Sequence, residues 1–282
     1  EECAALLGGS GRAKLVWERL RAGVSPFGEE GGLGKKARAQ LGLAFRMPSY
    51  TLVSQTASEC GTRKLLLELA DGAAVEAVVI PSEDRPFSTL CVSSQVGCRQ
   101  GCAFCETGRL GLLRDLSAAE IASQVAHARH SLGLRVRSVV YMGMGEPLDN
   151  VVEVIQSIRV LTESSGLGVA MSQVTVSTAG EARHVYSLVG ALPRVRMAFS
   201  IHFADDATRS SVFGVARARL MMAVPMPPPV GRPAGRERLR PFCMSRRSCL
   251  CSLKTLRRPI KPRQHTCILR MACCRDCTSC VL

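Results

Sequence analysis

The chain has 282 residues and a formal net charge of +14 at pH 7, which is long enough for one large domain or two modest ones. No run of about 18 apolar residues occurs, so the sequence offers no membrane-spanning helix. The charge excess sits at one end: residues 215–282 hold 15 of the 37 Lys and Arg but 2 of the 23 Asp and Glu. The preceding part is nearly neutral, and overall basicity therefore says little about whether that part binds nucleic acid.

The first residue is Glu1 rather than Met, as expected of a fragment or a processed product whose targeting peptide would be invisible here. Residues 11–22 place Ala13, Val16, Trp17 and Leu20 on one face of a helix. A Gly-rich break at Gly28–Gly34 leads to a second, basic helix over about Lys35–Phe45. From Lys64 to Ile80 the pattern becomes that of strands, and Asp71-Gly72 between two apolar runs predicts a hairpin. Glu76 falls in the second strand on the face shared with Val78 and Ile80; residue pattern alone allows a surface charge on an edge strand.

The stretch from Cys91 to Leu113 carries Cys98, Cys102 and Cys105 in the spacing Cys-x3-Cys-x2-Cys, with glycines at 97, 101, 108 and 111 that suit a tightly bending loop. Three thiolates can hold a [4Fe–4S] cluster and leave one iron open to another ligand. A structural zinc site would want a fourth ligand at metal spacing, and His127 lies well past the loop. A thioredoxin-type pair would use Cys102 and Cys105 and leave Cys98 idle. Cys91 read alone is equally a buried strand cysteine.

Ser117-Ala-Ala-Glu120 predicts a capping box, followed by a helix with Ile121, Val125, Ala128 and Leu132 on its buried face. A strand over Arg137–Met142 ends in Gly143-Met-Gly145-Glu146-Pro147. This is no dinucleotide fingerprint; it is either an ordinary tight turn or two glycines letting the backbone approach a ligand while Glu146 accepts from an ammonium group. Asn150 is placed to cap a helix whose apolar face is Val151, Val154, Ile155, Ile158 and Leu161. A strand at Gln173–Ser177, a helix near Glu181–Gly190 and a strand at Val195–Ile201 follow. Strand, loop and helix alternate as in a parallel sheet with helices outside, with functional residues expected at the C-terminal ends of the strands.

The spacing Cys98–Cys102–Cys105 and the wider string Cys-Val-Ser-Ser-Gln-Val-Gly-Cys from Cys91 resemble the RlmN family of dual-specificity radical S-adenosylmethionine (SAM) RNA methyltransferases, over about residues 11–212. Cfr is a sister group that methylates C8 of the same rRNA base. The resemblance implies an α/β fold, a partial radical SAM (β/α) barrel incomplete at its C-terminus and preceded by a small helical domain and a β-hairpin. It divides the chain into an accessory domain over 1–50, which contributes to RNA handling in the family although its residues are equally compatible with a helical cap on the main domain, a core over 51–214, and an Arg/Pro/Cys-rich tail over 215–282. It also implies methyl transfer to C2 of adenosine in 23S rRNA and tRNA, with a [4Fe–4S] cluster and S-adenosylmethionine as cofactors.

By the same resemblance Cys98, Cys102 and Cys105 hold the cluster; Gly143, Gly145, Glu146, Ser177, Ser200 and His202 contact SAM; and Glu76 and Cys91 are catalytic, the first as acid/base and the second as the thiol that resolves a methylene adduct through a disulfide. His202 taken alone is also compatible with a satisfied polar group. Expected partners are RNA and a flavodoxin- or ferredoxin-type electron donor, with the protein a monomer off the membrane. The cysteine spacing suits a reducing compartment, cytoplasmic or an organellar matrix.

Past Phe213 the family's methyl-carrying Ala-Cys-Gly segment is missing, and 8 of the 14 prolines and 8 of the 14 cysteines crowd into residues 215–282. Such composition does not build a packed core. A frame error, an unremoved intron or an aberrant splice form would produce it. A genuine tail, with Cys274-x2-Cys277-x2-Cys280 as a metal site or its arginines as a phosphate-binding arm, is the alternative.

Overall fold

A computed structural model of the chain describes residues 2–45, 50–180, 182–200 and 211–212. His202 and the tail over 215–282 lie outside them. Three helices come first: α1 (Glu2–Leu7), α2 (Ser10–Arg21) and α3 (Lys35–Ala44). They bury Leu7, Val16, Leu33 and Leu41 in a small core of their own. The two helices foreseen from periodicity are α2 and α3; α1, only six residues long, is too short for a periodic signal.

Seven strands then form one sheet in the order β1-β2-β3-β4-β7-β8-β9. β1 (Thr51–Ala57), β2 (Arg63–Glu68), β3 (Ala74–Pro81) and β4 (Ser88–Val92) pair antiparallel. The β2–β3 hairpin turns at Asp71-Gly72 as expected, with Gly72 at φ 83° supplying the left-handed turn residue. β1 has no apolar alternation and is exposed along almost its whole length, so only its pairing with β2 makes it a strand. β3 is interior to the sheet; Glu76 is therefore not an edge-strand charge.

From β4 onward the chain winds in parallel: β7 (Val136–Tyr141), β8 (Val174–Thr178) and β9 (Arg196–Phe199) follow one another across the sheet. Helices α5 (Ala118–His130), α6 (Val151–Thr162) and α7 (Ala182–Ala191) connect them. Before α5, the short helix α4 (Glu106–Leu110) and the strands β5 (Gln95–Gly97) and β6 (Leu112–Asp115), paired antiparallel, complete the cysteine loop. The main core lies between sheet and helices, where Val75, Leu90, Val139, Tyr141 and Val176 meet Ile121, Val125, Val154, Ile158 and Leu161. This is a partial (β/α) barrel of four parallel strands with an antiparallel extension.

The capping box at α5 forms as the sequence predicts, Ser117 accepting from the backbone of Glu120 and Glu120 reaching back. Glu120 also receives Arg114, which bridges to Asp71 in the hairpin turn at 2.7 Å. At α6 the expectation is corrected. Asn150 occupies the N-cap position but makes no side-chain cap bond; its amide donates instead to Ser94 O at 2.9 Å and Leu116 O at 2.7 Å. The Asn150 side chain is itself buried, and it goes to the buried carbonyls of Ser94 and Leu116, which need a donor. The two caps foreseen from sequence should thus differ in worth: Ser117→Ala is expected to cost about 1 kcal/mol. Asn150→Ala, which strips a buried carbonyl of its partner, should cost about 2 kcal/mol or more in denaturant unfolding.

Candidate active site at the ends of the parallel strands

The cysteine loop is pinched at its neck. Gly97, at φ 80°, leaves no room for a side chain, since a Cβ there would lie 1.9 Å from the carbonyl oxygen of Gly111. That carbonyl accepts from Cys98 N at 2.9 Å. Within the loop Gly108 packs on the backbone of Cys102, with a Cβ position 3.0 Å from its nitrogen. Cys98 and Cys102 are buried and Cys105 is half-buried. Burial, then the neighbouring Cys105 and Cys98, push the Cys102 thiol up to about 11, and burial likewise raises Cys98. Cys98 Sγ accepts from the backbone N–H of Gln100 at 3.4 Å.

These thiols fit a polynuclear cluster better than a single ion. Zinc–sulfur bonds of about 2.3 Å would draw three thiols onto one point, and no group of three His, Cys, Asp or Glu among the described residues is gathered to hold one metal ion. The three nonetheless stand within electrostatic reach of each other, as a cluster with separated irons requires. Four residues before Cys98, Ser94 Oγ is buried without a hydrogen-bond partner among the described residues.

Strand alternation and register place the other predicted residues. Val78 on β3 and Val140 on β7 are both paired with Cys91 on β4, so the three share the sheet face turned away from the helical core. Cys91 is fully buried there with Val78 and Val140, flanked by Ile80 and Met142. Glu76 lies on that face one step nearer the cysteine loop, where Ser93 Oγ donates to its carbonyl at 2.6 Å. The Glu76 carboxylate is half-buried and paired with Lys64 at 3.0 Å. Ser177, the penultimate residue of β8, lies on the same face, and its hydroxyl lies 3.5 Å from that of Ser200, just past β9. Glu76, Cys91, Ser177 and Ser200 therefore share one face of one sheet.

The loop after β7 packs closely against neighbouring segments. Gly143 and Gly145 let neighbouring residues approach closely: a Cβ on Gly143 would meet Ser93 Oγ at 2.7 Å and the Val92 backbone at 2.8 Å, and one on Gly145, at φ 95°, would meet the Gln95 side chain at 2.6 Å. Gly143 N donates to Val92 O, Met144 N to Ser93 Oγ, and Glu146 N to Gln95 Oε1. Both glycines thus pack closely against the segment leaving β4. Glu146 is 5% exposed, and its two carboxylate oxygens accept from Leu148 N at 3.0 Å and Ala179 N at 2.8 Å. Burial raises its pKa, opposed by those donors and by Thr178.

Sequence reasoning missed Gln124, whose amide pairs with both backbone groups of Ser93 at 3.0 and 2.8 Å. A polar residue interrupting the apolar face between Ile121 and Val125 was the available signal. It also missed Gln95, Arg99 and Asp149, whose partners lie on distant segments and leave no local trace.

Burial pushes the Cys91 thiol up to about 12. The native state keeps this proton to higher pH than the unfolded chain, whose cysteines ionise near about 8.5. The resulting stability is complete below that pH and is lost as pH rises toward 12. Cys91→Ala should accordingly show a shallower fall in unfolding free energy between about pH 9 and 11 than the parent chain. In the parent, alkylation at pH 8 should reach Cys105 well before Cys91.

The radical SAM superfamily profile matches residues 92–224, extending past Phe213, where the motif resemblance stops; residues 215–224 are still mostly apolar and the proline-rich run begins only at Pro225. Dual-specificity RNA methyltransferase RlmN of Syntrophobacter fumaroxidans is 41% identical over 227 residues, covering 77% of this chain and 66% of that protein. The RlmN of Campylobacter fetus subsp. fetus is 34% identical over 239 residues, 79% of this chain and 68% of that protein. A radical SAM methyltransferase structure from Sphaerobacter thermophilus superposes with a TM-score of 0.69 at 33% identity, over 77% of this chain and 64% of that one. The chain spans 46–68% of the length of curated relatives such as these, less than two thirds of most of them. With the cysteine loop, the shared sheet face and these similarities in agreement, the chain belongs to the RlmN family of the radical SAM superfamily.

Proposed function

We propose that this chain is the core of an enzyme that transfers a methyl group from S-adenosylmethionine to C2 of adenosine in 23S rRNA and tRNA. The observation that carries the reading is that three mutually interacting thiols, Cys98, Cys102 and Cys105, follow the end of β4 in the sheet whose face away from the helices bears Glu76, Cys91, Ser177 and Ser200. Those thiols would hold a [4Fe–4S] cluster with one iron left open. Cluster and SAM together supply one-electron radical chemistry when bound.

The protein's part is to bind, orient and shield. Glu146 has lone pairs beyond its two backbone bonds with which to accept from the amine of SAM, and the hydroxyls of Ser177 and Ser200, with His202, suit its ribose and adenine. Gly143 and Gly145 act by holding that loop against the segment after β4. Cys91 is kept protonated in an apolar setting, so its reaction as a resolving thiol requires a base, and Glu76, lying on the same face, is the acid/base group. An adenine in folded RNA must be unstacked to enter such a site. The helical unit over 1–50, a core over 51–214, a flavodoxin- or ferredoxin-type donor, a monomeric state and a cytoplasmic location complete the reading.

A second reading, a noncatalytic cluster- or RNA-binding product, is favoured by one observation: residues 213–282 contain no Ala-Cys-Gly segment to carry the methyl group. Anaerobic reconstitution with iron and sulfide, then incubation with SAM, reductant and an rRNA or tRNA transcript, separates the two. Formation of 5′-deoxyadenosine together with 2-methyladenosine supports the enzyme, and both products should fall about 100-fold or more in Cys98→Ala. 8-Methyladenosine would move the target to C8. A chain that takes up a cluster or binds the transcript but leaves the RNA unmethylated supports the second reading, and one that does neither sinks both.

A further inference from the structure

The carboxylate of Asp149 is 2% exposed and lies in the loop after β7, yet its donors come from the cysteine loop. Arg99 grips it with two nitrogens, Nε and NH2, each at 2.8 Å. Gln100 Nε2 donates to it as well, at 2.7 Å. Both donors sit between Cys98 and Cys102, the first two thiols of the motif. On the other side, Asp149 N donates to Glu146 O at 3.0 Å. One buried carboxylate thus ties the segment between two cluster thiols to the residue assigned to the SAM amine.

The geometry fits a clamp rather than an incidental surface pair. A two-pronged guanidinium–carboxylate contact fixes orientation as well as distance, and Gln100, 4% exposed, adds a third bond from the same side. A buried carboxylate deprived of these donors would be left with an uncompensated charge, so the loop has a strong reason to stay closed on it. The Asp149 charge also reaches Cys98 and Glu146, raising the pKa of each as a minor contribution after burial.

We propose that Asp149 is a positioning residue: with Arg99 and Gln100 it locks the Cys98–Cys102 segment onto the loop bearing Glu146, setting the spacing between cluster thiols and SAM amine before either ligand binds. The consequence for SAM rests on the function proposed above; the clamp itself does not. Arg99 is half-exposed, with 51% of its side chain accessible, so Arg99→Gln can be made without opening the core, and it carries the test alongside Asp149→Asn.

The first measurement uses the apo chain. Hydrogen–deuterium exchange of the 98–105 peptide is expected to accelerate about tenfold in either variant, the scale of one lost charge-assisted bond. The double variant should go little beyond either single one, because both remove the same contact. Arg99→Lys should recover only part of the protection, since an ammonium cannot grip with two prongs. Unchanged exchange, or strictly additive effects, would overturn the clamp.

The second measurement uses cluster-loaded protein. SAM titrated against the electron paramagnetic resonance signal of the reduced cluster should show a half-maximal concentration about tenfold higher in Arg99→Gln, with cluster content unchanged. An unaltered titration would overturn the positioning role. A chain that never takes up a cluster would refute the proposed function and, with it, the positioning of SAM, while the exchange experiment on apo protein would still decide the clamp.

Discussion

Two buried carboxylates in the loop after β7, Glu146 and Asp149, set the constraint on which the rest of the active end depends. A carboxylate removed from water is costly unless several donors meet it. Here the donors arrive from separate segments: Ala179 from the loop after β8, Leu148 from the same turn, and Arg99 and Gln100 from the cysteine loop. Displacing any of these segments would leave a buried charge short of partners. The same loop is anchored from below by Gln95, Ser93 and Val92, so three stretches of chain far apart in sequence, around residues 92–100, 143–149 and 179, are held in one arrangement.

Sheet alternation explains why one face can carry polar groups while the fold stays stable. Residues of one parity along β3, β4, β7 and β8, such as Val75, Leu90, Val139 and Val176, face the helices and are almost fully buried. That face supplies the large apolar core. The opposite parity holds only a small apolar cluster around Cys91 and is otherwise lined by Glu76, Ser177 and Thr175. Stability and chemistry are thereby assigned to opposite faces of the same strands.

The helical unit is joined to the barrel by close packing rather than by ion pairs among the described residues. A Cβ on Gly166, in the loop after α6, would come within 3.0 Å of the Trp17 ring, and one on Gly23 within 2.7 Å of His130 on α5. Both glycines allow a ring to lie directly on backbone, a contact visible only once the two segments are brought together. Trp17 was legible as part of an apolar helix face, but its partner was not, because a glycine in a loop carries no pattern of its own.

The sequence by itself determined what depends on neighbours along the chain. The hairpin at Asp71-Gly72, the capping box at Ser117 and Glu120, the periods of the helices and strands, and the cysteine spacing all follow from local geometry, and they were enough to reach the family. Only the tertiary structure decided what depends on approach between distant segments. It showed that Asn150 serves buried carbonyls rather than a helix end, and that Gly143 and Gly145 are filled by Ser93 and Gln95. It likewise showed that Asp149 belongs to Arg99. The physical reason is the same each time: a buried polar group takes whichever partner the fold brings within hydrogen-bond distance, and that partner is fixed by strand register and loop closure, which sum over the whole sheet.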